Sequence, residues 1–360
     1  MSSETVVPLH PDAPLRTAVI GFGLGGEVFH APLIAADPAY SLDAVVTGNP
    51  ERAALAEERY GVGVVLPDVD ALFAAADRFD LVVITSPNDT HVPLARRAID
   101  AGLDVVVDKP FALTVAEAEA VVKAAQDAER VVTVFQNRRH DADFLTLTQV
   151  IAAGSIGRVA ECHSHFDRFR PQVRDRWRES DAPGSGLWMD LGPHLLDQML
   201  QLFGWPDAIS ADLMAQREHA LGNDYFHAVL HYPRHRAILH AGSLVAASGP
   251  RFIVHGDAGS YLKDGLDVQE DQLRRGIAPG APGWGLDPQH GHLVRVDADG
   301  HTQRTTVDNV PGDYRAFYAA FRDAMLGVGE APVSTAQALQ LMRLLEAGAE
   351  SARSGRRVAL

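Results

Sequence analysis

The feature that most constrains this chain is the stretch Arg16–Ile34, RTAVIGFGLGGEVFHAPLI. Residues 17–20 read as a short apolar strand. Gly21, Gly23 and Gly26 follow in the spacing G-x-G-x-x-G, and a helical pattern comes next. Each glycine answers a separate need. Gly21 permits the tight turn, Gly23 lets backbone approach a pyrophosphate, and Gly26 lets the helix close on the strand. The free N–H groups and positive dipole end of the helix then favour phosphate. Between a strand and a helix this spacing points to a dinucleotide site; the plain alternative is an ordinary βα turn.

The pattern repeats as far as residue 135. Strands are expected over 42–47, 62–66, 81–85, 104–107 and 131–135. Helices are expected over 50–60, with Asn49 as cap, Pro50 at its first position and Gly61 as its stop, and over 69–76. Two more should run from the caps Thr90 and Thr114 to Gly102 and Ala128. Repeated βα units imply an α/β fold with a parallel, doubly wound sheet, whose ligands sit beyond the carboxyl ends of the strands. Three loops therefore matter: Gly21–Gly26, Thr85–His91 and Asp108–Pro110.

A chain of 360 residues suggests more than one domain. A leader over 1–15, a dinucleotide-binding domain over 16–137 and a substrate and oligomerisation domain over 138–360 are expected. The leader is polar and reads as mobile, not as a signal peptide. The second half is mostly extended, over 158–169, 207–216, 225–231, 237–245, 251–255 and 293–296. Without long intervening helices these strands should pair antiparallel, giving an α+β domain with a large open sheet. Helices are expected over 144–153, 191–203, 314–325 and 334–353, and a Pro/Gly-rich loop or lid over 277–287. The net charge of −15 opposes binding to nucleic acid or an anionic membrane. No apolar run approaches the ~20 residues needed to span a bilayer. A single cysteine, Cys162, excludes an internal disulfide and fits the cytoplasm.

Cofactor choice is read after the second strand, at Thr47-Gly48-Asn49-Pro50-Glu51-Arg52. No carboxylate stands at the strand end to take a ribose diol, whereas Thr47, Asn49 and Arg52 can receive a 2′-phosphate. NADP is favoured and NAD is possible. Asp190, His194 and Asp197 share one stripe of the 191–203 helix. Pro193 is tolerated in a first turn, which places Asp190 at the cap. Three readings stay open for this stripe. It is a cap with a solvated face, a general acid/base pair, or part of a metal site completed from His163, His165, His231 or His235. Lys109 ends a buried strand, where its ammonium can meet a substrate hydroxyl; a surface pair with Asp108 is the alternative. The segment Arg168–Arg178 is the densest basic stretch and suits an oxyanion, a polyhydroxylated substrate or the cofactor; an interface or solvated loop is equally compatible. His140 and Cys162 read as structural.

Together these residues resemble the Gfo/Idh/MocA oxidoreductases, across nearly the whole chain. GFGLGG with VFHAPLI, Ser86-Pro87-Asn88 with His91, Asp108-Lys109-Pro110 and Asp190-Leu-Gly-Pro-His194 carry the likeness. Longer segments (NRRHDADFLTL, RFRPQVRDRWRE, MAQRE, NDYFH, GLDVQEDQLRRG) are similar to the NADP-dependent scyllo-inositol dehydrogenase branch. The resemblance implies a Rossmann domain and hydride transfer between the nicotinamide and a carbon of a cyclic polyol or sugar. It implies Lys109, Asp190 and His194 as the catalytic set, with Arg168 beside them at the substrate. It implies that Gly21, Gly23, Leu24, Gly25, Gly26, Thr47, Asn49, Thr85, Pro87, Asn88, His91, Asp108, Lys109, Asn137, Trp177 and Arg178 face the cofactor. No resident metal is expected, and a homodimer or homotetramer is. A nucleotide- and sugar-sensing regulator of the same fold and a nonredox glycoside-cleaving enzyme are the competing activities. Two departures from relatives stand out: Gly48-Asn49 where NADP users often carry Ser-Arg, and His140 where a tryptophan is usual.

Overall fold

The computed structural model describes residues 13–360; the first twelve positions of the expected leader lie outside the described residues. The chain divides into two compact units, each assembled from separated segments.

Among the described residues, the first unit comprises 13–136, Glu270–Trp284 and Tyr314–Leu339. Its sheet has six parallel strands: β1 (Leu15–Ile20), β2 (Tyr40–Val46), β3 (Val64–Leu66), β4 (Leu81–Ile84), β5 (Asp104–Val107) and β6 (Val132–Val134). Their order is β3-β2-β1-β4-β5-β6. The order reverses between β1 and β4, so the loops after these two strands open the crevice where such sheets bind ligands. β4 and β5 are buried at every position: β4 is an unbroken apolar run, and in β5 three valines follow the buried Asp104, whose carboxylate accepts the Val131 N–H. Pro50–Tyr60 starts where Asn49 Oδ1 accepts the Arg52 N–H at 3.0 Å and ends at Gly61, φ 63°. Val115–Asp127 opens with a capping box between Thr114 and Glu117. Thr90 differs from its expected role. The helix His91–Asp100 follows it, but the Thr90 hydroxyl donates to the Pro87 carbonyl at 2.7 Å, because the chain there is already coiled into the tight turn Asn88–Thr90.

The helix Arg315–Met325 belongs to this unit although it lies 180 residues beyond β6. Tyr314, Phe317, Tyr318 and Phe321 fall on one helical stripe and are fully buried. Tyr318 Oη lies 2.7 Å from His30 Nδ1, Tyr40 Oη donates to the Tyr318 carbonyl at 2.6 Å, and Phe135 packs edge-on against Phe317 at 4.8 Å.

The second unit comprises Asn137–Gln269, Gly285–Asp313 and Gln340–Leu360. Its strands are β7 (Val159–His165), β8 (Ala208–Met214), β9 (Tyr225–His231), β10 (Arg236–Gly242), β11 (Phe252–Gly256), β12 (Gly259–Lys263), β13 (Gly291–Val296), β14 (Thr302–Val307) and β15 (Val358–Ala359). They form one sheet in the order β14-β13-β12-β11-β7-β10-β9-β8-β15. Antiparallel pairing holds except between β7 and β10, which run parallel. The chain leaves β7 through the helix Gly186–Phe203 and returns along β8 and β9, and that crossover sets the direction of β10. Three strands escape the sequence pattern. β12 carries a glycine at its start, β14 (TQRTTV) is polar and exposed, and β15 has two residues. Cys162, Phe226, Ala228, Leu230, Ala237, Leu239 and Val254 fill the inner face, with Gly186–Phe203 packed on β9 and β10.

Full burial pushes the His30 imidazole down to about 4, with Asp108 pulling weakly the other way. The folded protein therefore keeps His30 neutral while the unfolded chain takes up its proton below about 6.5. The stability held by this residue is complete above 6.5 and falls as pH drops toward 4, by about 3 kcal/mol. Denaturant unfolding of the wild type and of His30→Leu between pH 7 and 4 should give curves that converge by roughly this amount as pH falls; parallel curves would show that His30 is not held neutral.

Candidate active site

In the first unit the glycine turn is shaped by close backbone contact. Gly21 sits at φ 91°, and its carbonyl accepts the Thr85 hydroxyl at 2.7 Å from the end of β4. A Cβ on Gly26 would strike that same carbonyl oxygen, and one on Gly25 would come within 2.9 Å of Asp108 Oδ2. At Gly23 the space is open: the nearest atom to a Cβ would be Arg52 Nη1, 3.8 Å away. The turn therefore exposes backbone at Gly23, as a pyrophosphate needs, with a guanidinium beside it. Leu24, 42 % exposed, flanks the opening. The following helix is wider than expected: Gly25–His30 is π-helical and only Ala31–Ala36 is α-helical. At the end of β2 the Thr47 hydroxyl accepts the Asn49 N–H at 3.3 Å, and Asn49 spends its carbonyl oxygen on the cap.

His91 ties the two remaining loops of this unit together. Its Nδ1 lies 2.8 Å from the Pro110 carbonyl and its Nε2 3.0 Å from the Ser86 carbonyl. Burial lowers its pKa, so the neutral ring donates to one of these carbonyls at a time. Pro87, the buried Asn88, Asp108 and Lys109 are held in position by this clasp. Asp108 Oδ1 accepts the backbone N–H of Lys109 at 2.8 Å, and the Lys109–Pro110 peptide is cis.

In the second unit the helix carrying Asp190 and His194 begins at Gly186, not near residue 190. Asp190 is thus not the cap, and Pro193 lies inside the helix. The correction has a nonlocal cause. Asn223 accepts the Leu187 N–H through its main chain at 2.7 Å and the Trp188 N–H through its side chain at 2.7 Å. Those bonds occupy the first donors and let the helix start earlier. Pro193 cannot bond the Met189 carbonyl, so the ladder is interrupted between Asp190 and His194. Asp190 and His194 still share a face at i, i+4. Asp197 leaves the stripe's chemistry: it is buried in a two-point pair with Arg139, at 2.7 and 2.8 Å. Arg168 Nη1 and Arg178 Nε approach the Asp190 carboxylate at 3.5 and 3.7 Å, and Arg178 stacks on Trp177. Asn137 is buried in the turn Asn137–His140. Reading the sequence missed Asn223, Arg170 and Arg217, which line the same pocket as Asp190; the arginine-rich segment was the available signal for Arg170.

Among the described residues, the histidines considered for a metal form no ligand group with Asp190, His194 or Asp197. His163 pairs with Glu161, His231 with Ser210, and His235 stacks on Tyr232. Among the described residues, the two groups with ligand spacing are His165, Asp167 and His240 on the outer sheet face, and the loop residues Asp297, Asp299 and His301. Burial opposes ionisation of Asp167, but hydrogen bonds from His165 and His240 outweigh it and draw the carboxyl down to about 2. Burial pushes the Cys162 thiol up to about 12 and, with Arg139, the His140 imidazole down to about 4, so neither is ionised near neutrality.

Residues 15–136 match the model described as "Oxidoreductase family, NAD-binding Rossmann fold", and residues 148–360 match "Oxidoreductase family, C-terminal alpha/beta domain". The chain is 49 % identical to the uncharacterized oxidoreductase YdgJ of Escherichia coli over 94 % of its own length and 96 % of that protein's. It is 34 % identical to the NADP+-dependent scyllo-inositol 2-dehydrogenase IolW of Bacillus subtilis, over 96 % of each chain. The crystal structure of an oxidoreductase from Bacillus cereus superimposes with a TM-score of 0.87 at 33 % identity, over 96 % of this chain and all of that one.

The glycine geometry separates two substitutions. Gly26→Ala forces the turn apart and should lower the melting temperature by several degrees, whereas Gly23→Ala should shift it by no more than about a degree. Thermal unfolding of the two variants beside the wild type measures both.

Proposed function

The chain belongs to the Gfo/Idh/MocA oxidoreductase family, and we propose that within it the chain is an NADP-dependent dehydrogenase acting on a secondary hydroxyl of a cyclic polyol or sugar. The observation that carries this reading is its end-to-end similarity to an NADP+-dependent scyllo-inositol dehydrogenase, in a chain that keeps Lys109, Asp190 and His194. The residues of the first unit fit a dinucleotide. Gly23 leaves room for the pyrophosphate, Arg52 stands beside it, and no carboxylate closes the end of β2 against a 2′-phosphate. Thr47 and Asn49, with hydroxyl and amide groups at the strand end, complete the adenosine side. Thr85, Pro87, Asn88 and His91 form the wall of the nicotinamide half, with Asn137, Trp177 and Arg178 assigned to the same cofactor.

When bound, the nicotinamide supplies or accepts the hydride. In the oxidative direction the His194 imidazole takes the hydroxyl proton, and the Asp190 carboxylate one turn away favours the imidazolium that results. The Lys109 ammonium hydrogen-bonds the reacting oxygen as it gains negative charge. Arg168 and Arg178, within 4 Å of Asp190, aim that carboxylate.

A screen of inositols and aldoses with NAD+ and NADP+ in separate assays, following nicotinamide reduction, tests the activity. Lys109→Ala and His194→Ala should each lower kcat by roughly 10²–10⁴ on the substrate so found. Arg52→Ala should raise KM for NADP+ about tenfold or more and leave KM for NAD+ near its starting value. Near-normal turnover in both catalytic variants would overturn the assignment.

A further inference from the structure

The pocket around Asp190 is crowded with guanidinium groups, in a chain whose net charge is −15. Beyond β7 the backbone stays extended and paired: Arg168 N–H donates to the Gly242 carbonyl at 2.9 Å and Arg170 N–H to the Ser243 carbonyl at 2.7 Å. Alternation along this extended segment turns Arg168 and Arg170 to the same side and leaves Phe169, 59 % exposed, on the other. The turn Trp177–Glu179 adds Arg176 and Arg178, and the loop before β9 adds Arg217.

These arginines are not equivalent. Arg217 is buried and saturated, bonded to Asp224 at 2.7 Å, to Glu179 at 3.0 Å and to the carbonyls of Arg170 and Gln172 at 3.1 and 3.0 Å. Arg176 meets Glu179 at 2.6 Å. These two hold the pocket wall together. Arg170 is different. Among the described residues its guanidinium makes no hydrogen bond and no ion pair, although it is half-buried and lines the pocket beside Asp190. Burial, then the neighbouring Arg168, Arg176 and Arg174, bring its pKa down to about 10, with the Asp190 carboxylate opposing them. A partly desolvated guanidinium with three cationic neighbours and no directly paired carboxylate gains from an added anion. Its planar fork matches a carboxylate or phosphate in two-point geometry.

We propose that the substrate carries an acidic oxyanion, a carboxylate or a phosphate ester, which docks on Arg170 with Arg168 and Arg178 at its sides. This adds acidic polyols and sugars, such as uronic acids or polyol phosphates, to the substrates of the proposed reaction and ranks them above their neutral counterparts. The inference rests on the dehydrogenase reading, because it takes Asp190 as part of the substrate site.

The test is a set of matched pairs assayed with the full-length protein and NADP+: glucose against glucuronate and glucose 6-phosphate, and myo-inositol against inositol monophosphate. The acidic member should exceed its neutral partner by at least about tenfold in kcat/KM, and the better of the carboxylate and phosphate arms identifies the oxyanion. In Arg170→Met that acid-to-neutral ratio should fall about tenfold, the loss of a charge-assisted contact, and Arg170→Lys should restore part of it. A merely structural Arg170 would depress both members alike and leave the ratio unchanged. Efficient oxidation of neutral polyols with no acid preference overturns the inference and leaves the dehydrogenase reading standing. If no member of the panel is oxidised, the dehydrogenase reading fails, and calorimetric titration of glucuronate and of inorganic phosphate decides the anion site by itself. Binding lost in Arg170→Met supports the site, and no binding to the wild type rejects it.

Discussion

The second unit's site depends on how one helix begins. Asn223 supplies two acceptors to the first donors of Gly186–Phe203, at 2.7 Å each. Gly186 takes φ 86° to allow it, and a Cβ there would come within 2.6 Å of the Asn223 amide. The next turn is anchored by Trp188, whose indole N–H donates to the Leu345 carbonyl at 3.1 Å and whose ring excludes any side chain at Gly348. With start and rotation both set, Asp190 faces the arginine pocket and His194 is buried one turn on. The interruption at Pro193 falls between them, where the missing N–H and the ring's clash with the Met189 carbonyl cost about 3 kcal/mol.

The first unit solves its problem by a different device. Its glycine turn is held by sterics and by Thr85, with no charged side chain needed to form it. Gly26 and Gly21 approach until no Cβ fits, which locks the π-helical turn Gly25–His30 against the end of β1. His91 fixes the neighbouring loops by pointing its two ring nitrogens at two carbonyls. His30, Tyr318 and Phe135 then back the turn with a buried aromatic cluster supplied from far along the chain.

Local rules carried the sequence reading a long way. Asn49, Gly61 and Thr114 place their helix ends within a residue or two, because the interactions that set them are within four residues, and β4 and β5 show in their runs of apolar residues. Two of the misses turn on a partner or a path distant in sequence. Nothing near Ser185 announces a helix start, since the cap is Asn223. β10 runs parallel to β7 because of topology, which hydrophobic alternation does not encode. β14 has no buried face to leave a pattern: five of its six residues are polar, and no strand is expected there. For the site, residue type and spacing brought out Lys109, Asp190 and His194, but only geometry separates Asp197 from them. Its carboxylate is already matched by Arg139.

The two devices differ in what substitution does to them. A turn built from backbone contact tolerates almost no change, so the dinucleotide end is confined to a narrow set of sequences. The Asp190 pocket is lined by side chains from the segment after β7, the loop before β9 and the first turns of one helix. Its wall is kept by Arg217, Arg176, Glu179 and Asp224, which bond among themselves. The Arg170 side chain bonds to none of these four, so it can change while that wall stands and Gly186–Phe203 keeps its cap. Loops carried on a fixed scaffold are where a pocket's charge is free to vary.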